Sequence, residues 1–132
     1  MSLSFKQVDV INLLAEDLAG TRSFYQEILG LPLAFQDENV AVFKLENTIV
    51  CLRDVSEARE LIAPAAVASP QAGSRFLLAV FVDDVDAVCA ELAQRGVTLL
   101  NGPEDRPWGM RTASFADPAG HIWEIGQDLD AS

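Results

Sequence analysis

Apolar and polar positions repeat the same order of elements twice along the chain. In the first stretch the apolar run VDVINLLA is followed by two acidic residues, a helical pattern LAGTRSFYQEIL and Gly30. In the second stretch the run FLLAVFV is followed by two acidic residues, the pattern VDAVCAELAQR and Gly96. A repeat of this kind indicates two copies of one structural unit. We therefore expect residues 8–33 and 75–100 to fold alike.

Both helical stretches place their apolar side chains on one face, at the spacing i, i+3, i+4 and i+7 of an amphipathic helix. Those positions are Thr21, Phe24, Tyr25 and Ile28 in the first helix and Val85, Val88, Cys89 and Leu92 in the second. Asp17 and Asp84 precede the helices, where a carboxylate accepts hydrogen bonds from first-turn N–H groups. Gly30 and Gly96 can end them in a left-handed conformation. All four residues thus have a structural explanation.

Each helix is followed by a stretch that predicts a β-hairpin. Strands over residues 40–45 and 48–53 flank Glu46-Asn47, and strands over residues 111–116 and 121–126 flank the turn DPAG. Each half of the chain is then a βαβββ module.

The two modules fit one domain over residues 1–132, since a second independent domain would need a longer chain. Module one covers about residues 5–53 and module two about residues 75–128. Residues 54–74 are rich in Ala, Pro and Ser without a sustained period, which indicates a crossover linker with room for one short helical turn.

Alternation along the strands of the second hairpin assigns its side chains to two faces. A four-residue turn at residues 117–120 pairs Phe115 with Ile122 and Ala113 with Glu124. The face away from the helices then holds Arg111, Ala113, Phe115, Ile122 and Glu124, and the face toward the helices holds Thr112, Ser114, Trp123 and Ile125.

Side chains of the first hairpin alternate between two faces in the same way. A two-residue turn pairs Phe43 with Val50 and places both under the helices together with Leu45 and Leu52. The other face then holds Val42, Lys44, Ile49, Cys51 and Arg53.

Glu124 needs an explanation because it lies in the middle of the apolar strand HIWEIG, where an unpaired buried charge is costly. An ion pair or hydrogen bond with Arg111, on the same predicted face, is one explanation. A role as metal ligand or as acid and base is the other, and the sequence leaves both open. His121, the only histidine in the chain, points away from Glu124 in this register and is expected to be an exposed turn residue.

Charge and composition limit the partners, the location and the kinds of site that can be expected. The net charge of −11 repels a phosphate backbone, so no nucleic-acid partner is expected. No apolar run is long enough to cross a membrane and no targeting leader is recognised, which predicts a cytoplasmic protein. Cys51 and Cys89 lie in apolar stretches and are expected to be free buried thiols. The absence of CxxC and of a His-rich pair excludes a zinc knuckle.

Two stretches resemble the glyoxalase/bleomycin resistance protein/extradiol dioxygenase (vicinal-oxygen-chelate) superfamily. EDLAGTRSFYQEILGLPL is similar to its first-helix signature, and RPWGMRTASFADPAGHIWEIGQ is similar to its Trp-Gly, Arg, Phe-x-Asp-Pro-x-Gly and Glu pattern. The resemblance implies an α+β fold in which tandem βαβββ modules form a curved eight-stranded mixed sheet with helices on the convex side. It also implies a ligand cup between the modules and a homodimer.

Metal-dependent members of that superfamily carry a His or Gln on the first strand, a Glu closing module one, a His on the first strand of module two and a Glu on the last strand. The residues at those positions here are Val10, Cys51, Leu77 and Glu124. Only Glu124 matches a family ligand, so no metal and no other cofactor is expected, and a divalent metal is the alternative. A register shift of one residue would bring in Asp9 or the neighbours of Asn12.

Three classes of function follow: a metal-independent small-molecule-binding protein, a metal-dependent lyase, isomerase or dioxygenase, and a structural or regulatory dimer. An apolar cup with few polar anchors favours the first class. Glu124 is the candidate catalytic residue, as a general base near neutral pH, and whether the chain is an enzyme stays open. The predicted ligand-binding residues are Val10, Val42, Cys51, Arg53, Leu77, Trp108, Arg111, Phe115 and Ile122.

Three of these residues have a specific role in the predicted binding of a ligand. The Trp108 indole can stack on a planar ligand at the rim. Arg53 and Arg111 can each anchor a carboxylate or phenolate.

Overall fold

The computed structural model describes residues 3–130. These residues form eight strands and three α-helices. Their bounds are β1 (Val10–Ala15), α1 (Leu18–Ser23), β2 (Leu33–Gln36), β3 (Val40–Lys44), β4 (Ile49–Asp54), α2 (Val55–Ile62), β5 (Leu78–Phe81), α3 (Val85–Gln94), β6 (Asn101–Asp105), β7 (Met110–Ala116) and β8 (Ile122–Asp128). None of these helices is long and apolar enough to cross a membrane.

The chain divides into two compact units, the first ending at Ala68 and the second beginning at Ser69. Each unit contains one four-stranded mixed sheet, in the order β1-β4-β3-β2 in the first and β5-β8-β7-β6 in the second. The β1 strand is parallel to β4, and β5 is parallel to β8. All other neighbouring strands are antiparallel. The predicted tandem βαβββ fold is therefore confirmed, and we refer to the units as module one and module two.

The predicted helix ends are confirmed. The Asp17 carboxylate accepts a hydrogen bond from the Gly20 N–H at 3.0 Å, and the Asp84 carboxylate accepts one from Ala87 N–H at 3.1 Å. Gly30 and Gly96 have φ angles of +72° and +85°. In module one, α1 continues into a π-helical turn at Phe24–Ile28.

Module one packs α1 and its π-helical turn on the sheet as the apolar spacing predicted. Tyr25 and Phe43 are fully buried, with ring centroids 6.0 Å apart. The predicted pairing of Phe43 with Val50 is confirmed. This places Phe43, Val50 and Leu52 on the face toward the helix.

The segment after β4 forms more helix than expected. Val55–Ile62 is an eight-residue helix, two turns long, and the Asp54 carboxylate accepts from the Ser56 N–H at its start. Val55 and Ala58 are its buried residues. Because only two residues of this helix are buried, its sequence shows no sustained apolar period. This explains why the sequence predicted a single turn.

The predicted register of the β7–β8 hairpin is wrong by one residue. The structure pairs Ser114 with Glu124 and Phe115 with Trp123. Because neighbouring residues on a strand face opposite sides, this slip exchanges the two faces of β7 relative to β8. Phe115 therefore lies on the helix-facing side with Trp123, while Ser114 joins Glu124.

The turn between β7 and β8 explains the slip. The backbone N–H of Asp117 donates to His121 O, and the N–H of Gly120 donates to Asp117 O. Gly120 takes a φ of +97°, as in hairpins where a turn is followed by a left-handed residue. His121 therefore belongs to the loop, and the paired strands begin one residue later than predicted.

The Asp117 side chain holds this loop closed. Its carboxylate is buried and accepts hydrogen bonds from the N–H groups of Ala119 and His121, each at 2.9 Å. It also lies 2.8 Å from His121 Nδ1. The His121 side chain is only 13 % exposed, so the expectation of an exposed turn residue is wrong.

We expect Gly120→Ala to reduce the free energy of unfolding by about 2 kcal/mol, since a left-handed residue with a side chain is strained. An added Cβ would also lie 2.9 Å from the Pro70 carbonyl oxygen. Urea unfolding, followed by the fluorescence of buried Trp123, measures the loss.

Gly73→Ala is the matched control for this measurement. Gly73 has a similar φ of +93°, yet a Cβ there meets no atom within 4 Å. We expect a loss of about 1 kcal/mol from backbone strain alone. Equal losses in the two variants would contradict the close approach of Pro70 to the loop.

Candidate functional site

A pocket of about 410 Å³ lies within module two. Its size falls in the range of small-molecule sites, about 300–1,000 Å³. Its lining residues are Leu77, Leu100, Asn101, Arg106, Trp108, Thr112, Ser114, Ile122 and Glu124. We call this set the module-two pocket.

The strand register explains why these residues come together. Thr112, Ser114, Ile122 and Glu124 share one face of the β7–β8 hairpin. The opposite face is covered by α3, which contacts both strands. The pocket therefore lies on the side of the sheet away from the helix.

Glu124 stands near the middle of this face. Its neighbours across the sheet are Ala79 on β5 and Ser114 on β7. The side chain is half-buried, and within residues 3–130 it has no hydrogen bond or ion pair. The predicted partner, Arg111, is engaged elsewhere, so the Glu124 carboxylate is available to a ligand.

Arg106 is the cation of the pocket. Its Nε donates to Thr112 Oγ1 at 2.9 Å and its Nη2 donates to Asn101 Oδ1 at 3.3 Å. Its Nη1 also forms an ion pair with Glu104 at 2.9 Å. These contacts hold the guanidinium plane in one orientation at the edge formed by β6 and β7.

Trp108 is presented by the loop between β6 and β7. The Gly109 N–H donates to Arg106 O, and the Arg106 N–H donates to Met110 O. This is the same hydrogen-bond pattern as in the Asp117 loop. It leaves the Trp108 side chain 69 % exposed at the pocket.

Three of the predicted ligand-binding residues, Leu77, Trp108 and Ile122, line this pocket together with Glu124. Their role in binding stays a prediction. The sequence did not point to Leu100, Asn101 or Arg106, and it assigned Thr112 and Ser114 to the wrong face. The glycines of DPAG and PWG, at the left-handed position of each loop, were the signal that could have corrected the register.

The predicted inward position of Arg111 and Phe115 is wrong. Phe115 is buried on the helix-facing side opposite Trp123. Arg111 donates to Asp105 at 2.7 Å and forms an ion pair with Asp86 of α3 at 3.0 Å. The Asp105 partner raises the pKa of Arg111, and Arg111 in turn lowers the pKa of Asp105.

The remaining predicted residues lie in module one, on the sheet face away from α1. Val10 pairs with Ile49 on this face, and Val42 pairs with Cys51. Arg53 donates to Asn12 Oδ1 at 3.1 Å and forms an ion pair with Glu57. Their contact with a ligand stays a prediction.

The model of the Glyoxalase/Bleomycin resistance protein/Dioxygenase superfamily matches residues 7–125. The chain belongs to this superfamily. Among its relatives is the uncharacterized protein YraH of Bacillus subtilis (strain 168), 33 % identical over 119 residues, with 87 % of this chain and 93 % of that protein covered. The virulence protein STM3117 of Salmonella typhimurium is 23 % identical, with 92 % of this chain and 83 % of that protein covered.

Solved structures of the superfamily share the fold. A glyoxalase/bleomycin resistance protein/dioxygenase from Nocardioides has a TM-score of 0.87 at 27 % identity, covering 99 % of this chain and 89 % of that chain. A glyoxalase-related enzyme from Fulvimarina pelagi has a TM-score of 0.81 at 27 % identity, covering 93 % and 88 %.

The residues of this superfamily member fit the family metal poorly. Within residues 3–130, no three His, Cys, Asp or Glu side chains converge on one point. Val10 and Leu77 offer no donor atom. Burial raises the pKa of the Cys51 thiol, although the nearby Arg53 guanidinium acts in the opposite direction, and this disfavours the thiolate that a metal needs. Glu124 alone remains as a ligand.

We expect Arg111→Gln to raise the pKa of Asp105 toward its ordinary value, because the guanidinium stabilises the ionised carboxylate. The stability from this exposed pair is present at neutral pH and is lost as the pH falls through the pKa of Asp105. Carboxyl ¹³C NMR across an acid titration measures the change.

Asp54 is the control within the same sample. Its pKa is also lowered, but by hydrogen bonds from Ser56, so Arg111→Gln should leave it unchanged. An unchanged titration of Asp105 would show that Arg111 does not lie against Asp105. The inward position predicted for Arg111 would then be possible again.

Proposed function

We propose that this chain binds a small, partly apolar molecule in the module-two pocket, without the metal site found in metal-dependent members of its superfamily. The observation that carries the proposal is a pocket with apolar walls at Leu77, Leu100 and Ile122 that also holds the carboxylate of Glu124, which has no partner among residues 3–130. Sites for small molecules commonly combine apolar walls, which supply affinity, with polar groups that fix the orientation of the ligand.

The apolar walls support a ligand with a hydrophobic part. Leu77 and Leu100 are each about half exposed, and both line the pocket with Ile122. Covering such surface removes apolar area from water, which is favourable at about 25 cal/mol per Å². Trp108 adds a planar surface on which an aromatic ring can stack.

A metal-dependent lyase, isomerase or dioxygenase is the second candidate. The observation that favours it is the retained Glu124, which faces the pocket at the position of the last family ligand. A divalent ion there would need donors beyond Glu124, since family-type ions use three or four. Association into a homodimer and a cytoplasmic location also stay predictions.

We expect 2-naphthol, a small planar probe, to bind and to shift the backbone NMR signals of residues 77, 122 and 124. Trp108→Ala should weaken this binding about fivefold, since a stacked aromatic pair contributes about 1 kcal/mol. The measurement is a titration followed by ¹H–¹⁵N correlation spectra, repeated after chelator treatment with no expected change.

Phe5→Ala is the control for Trp108→Ala, because Phe5 is also a highly exposed aromatic residue and lies outside the pocket. It should leave the affinity unchanged. Shifts confined to other residues, or an equal loss in both variants, would contradict binding in the module-two pocket.

Metal content separates the two candidate functions. We expect protein purified without chelator, and apo protein titrated with Mn, Fe, Ni, Co and Zn, to hold no tight metal that depends on Glu124. Elemental analysis of wild type, Glu124→Ala and the exposed-site control Glu60→Ala measures this. About one divalent ion per chain, lost only in Glu124→Ala, would overturn the metal-free proposal and establish the second candidate.

A further inference from the structure

We propose that the module-two pocket selects small molecules carrying a protonated amine beside an aromatic or aliphatic group, with Glu124 receiving the ammonium and Trp108 covering the ring. This inference rests on the proposed function and names the ligand class of the same site. It differs from the expectation drawn from the sequence, in which inward-facing arginines would anchor an anionic ligand.

The pocket carboxylate has no counter-charge among the described residues. Glu124 faces the pocket between Ala79 and Ser114 and has no partner within the described residues. A carboxylate is an acceptor only, with two oxygens, so its natural complement is a strong donor. A hydrogen bond between a charged donor and a carboxylate is about twice as strong as a neutral one.

The cation of the pocket is already neutralised by a neighbouring carboxylate. Arg106 is ion-paired with Glu104 and donates to Thr112 and Asn101. An anionic ligand would have to compete with these groups for the guanidinium. It would also meet the Glu124 carboxylate on the same sheet face, and like charges at short distance repel.

Apolar side chains form part of the wall around the Glu124 carboxylate. Leu77, Leu100 and Ile122 line the pocket that Glu124 faces, and apolar walls lower the local dielectric once a ligand displaces water. Electrostatic attraction to the carboxylate then becomes stronger than in open solvent. The exposed indole of Trp108 adds a face that attracts both rings and cations.

The charge of the whole chain acts in the same direction. Twenty acidic residues against nine basic ones give a net charge of −11. A field of this sign raises the local concentration of cations and lowers that of anions, an effect that salt screens. Amine binding should therefore weaken as the salt concentration increases.

Three probes of nearly equal size test the inference: 2-phenylethylamine, 2-phenylethanol and 3-phenylpropanoate. They carry the same ring with a cationic, a neutral and an anionic end at neutral pH. Affinities for the whole chain are measured by isothermal titration calorimetry, and the site is located by ¹H–¹⁵N NMR shifts. We expect the amine to bind about tenfold more tightly than the alcohol, and the carboxylate to bind most weakly.

The matched variants are Glu124→Gln and Glu60→Gln. Both replace a carboxylate with an amide of equal size and change the net charge equally, but Glu60 lies on the exposed side of α2. Glu124→Gln should lower amine affinity about tenfold while leaving the alcohol nearly unchanged. Glu60→Gln should leave the affinities for all three probes near their wild-type values. NMR spectra of the free variants establish that each is folded.

The possible outcomes separate this inference from the proposed function. Amine preference that is lost in Glu124→Gln and kept in Glu60→Gln supports both. Equal binding of amine and alcohol, unaffected by Glu124→Gln, overturns the amine inference and leaves the small-molecule function standing. Preference for 3-phenylpropanoate overturns it in favour of Arg106 as the anchor. Binding of none of the three probes at millimolar concentration overturns the inference and counts against the proposed function as well.

Discussion

The buried carboxylate of Asp117 closes the loop on which the functional face of module two depends. It accepts the N–H groups of Ala119 and His121 and lies against the His121 imidazole. The loop then contains His121, and the strands pair from Ala116 and Ile122 onward. Since side chains alternate along a strand, moving this starting point by one residue would exchange the faces of β7 relative to β8. The composition of the pocket is decided at this turn.

The polar character of the pocket follows from that register. Thr112 and Ser114, rather than Arg111 and Phe115, lie on the same face as Glu124. Arg111 is drawn to the opposite side, where it bridges Asp105 and Asp86. Glu124 is left without an ion pair in the described part of the chain. The sequence left open an ion pair between Glu124 and Arg111, whereas the structure places Arg111 on the other face and Arg106 in the pocket.

The superfamily fold determines the sheet, whereas a few side chains on it determine the chemistry. The resemblance read from the sequence implies that Val10, Cys51 and Leu77 stand at positions of family metal ligands and that Glu124 matches one of them. The same scaffold can thus present one carboxylate to an organic ligand instead of several donors to an ion. Membership of the superfamily alone does not select between these uses, because function depends on the side chains of the site.

The sequence by itself determined the two-module repeat, the amphipathic helices with their Asp caps, and the pairing of Phe43 with Val50. Each of these depends on periodicity or contacts within a short stretch, which apolar spacing records directly. Only the tertiary structure decided the faces of β7 and the placement of Arg106. Those depend on a buried side chain closing a loop, on the approach of Pro70 to Gly120, and on ion pairs between separate elements. The Asp117 loop is local, and Gly120 at its left-handed position was its only signal in the sequence. The approach of Pro70 to Gly120 and the ion pair of Arg111 with Asp86 join residues distant in sequence, which no local pattern encodes.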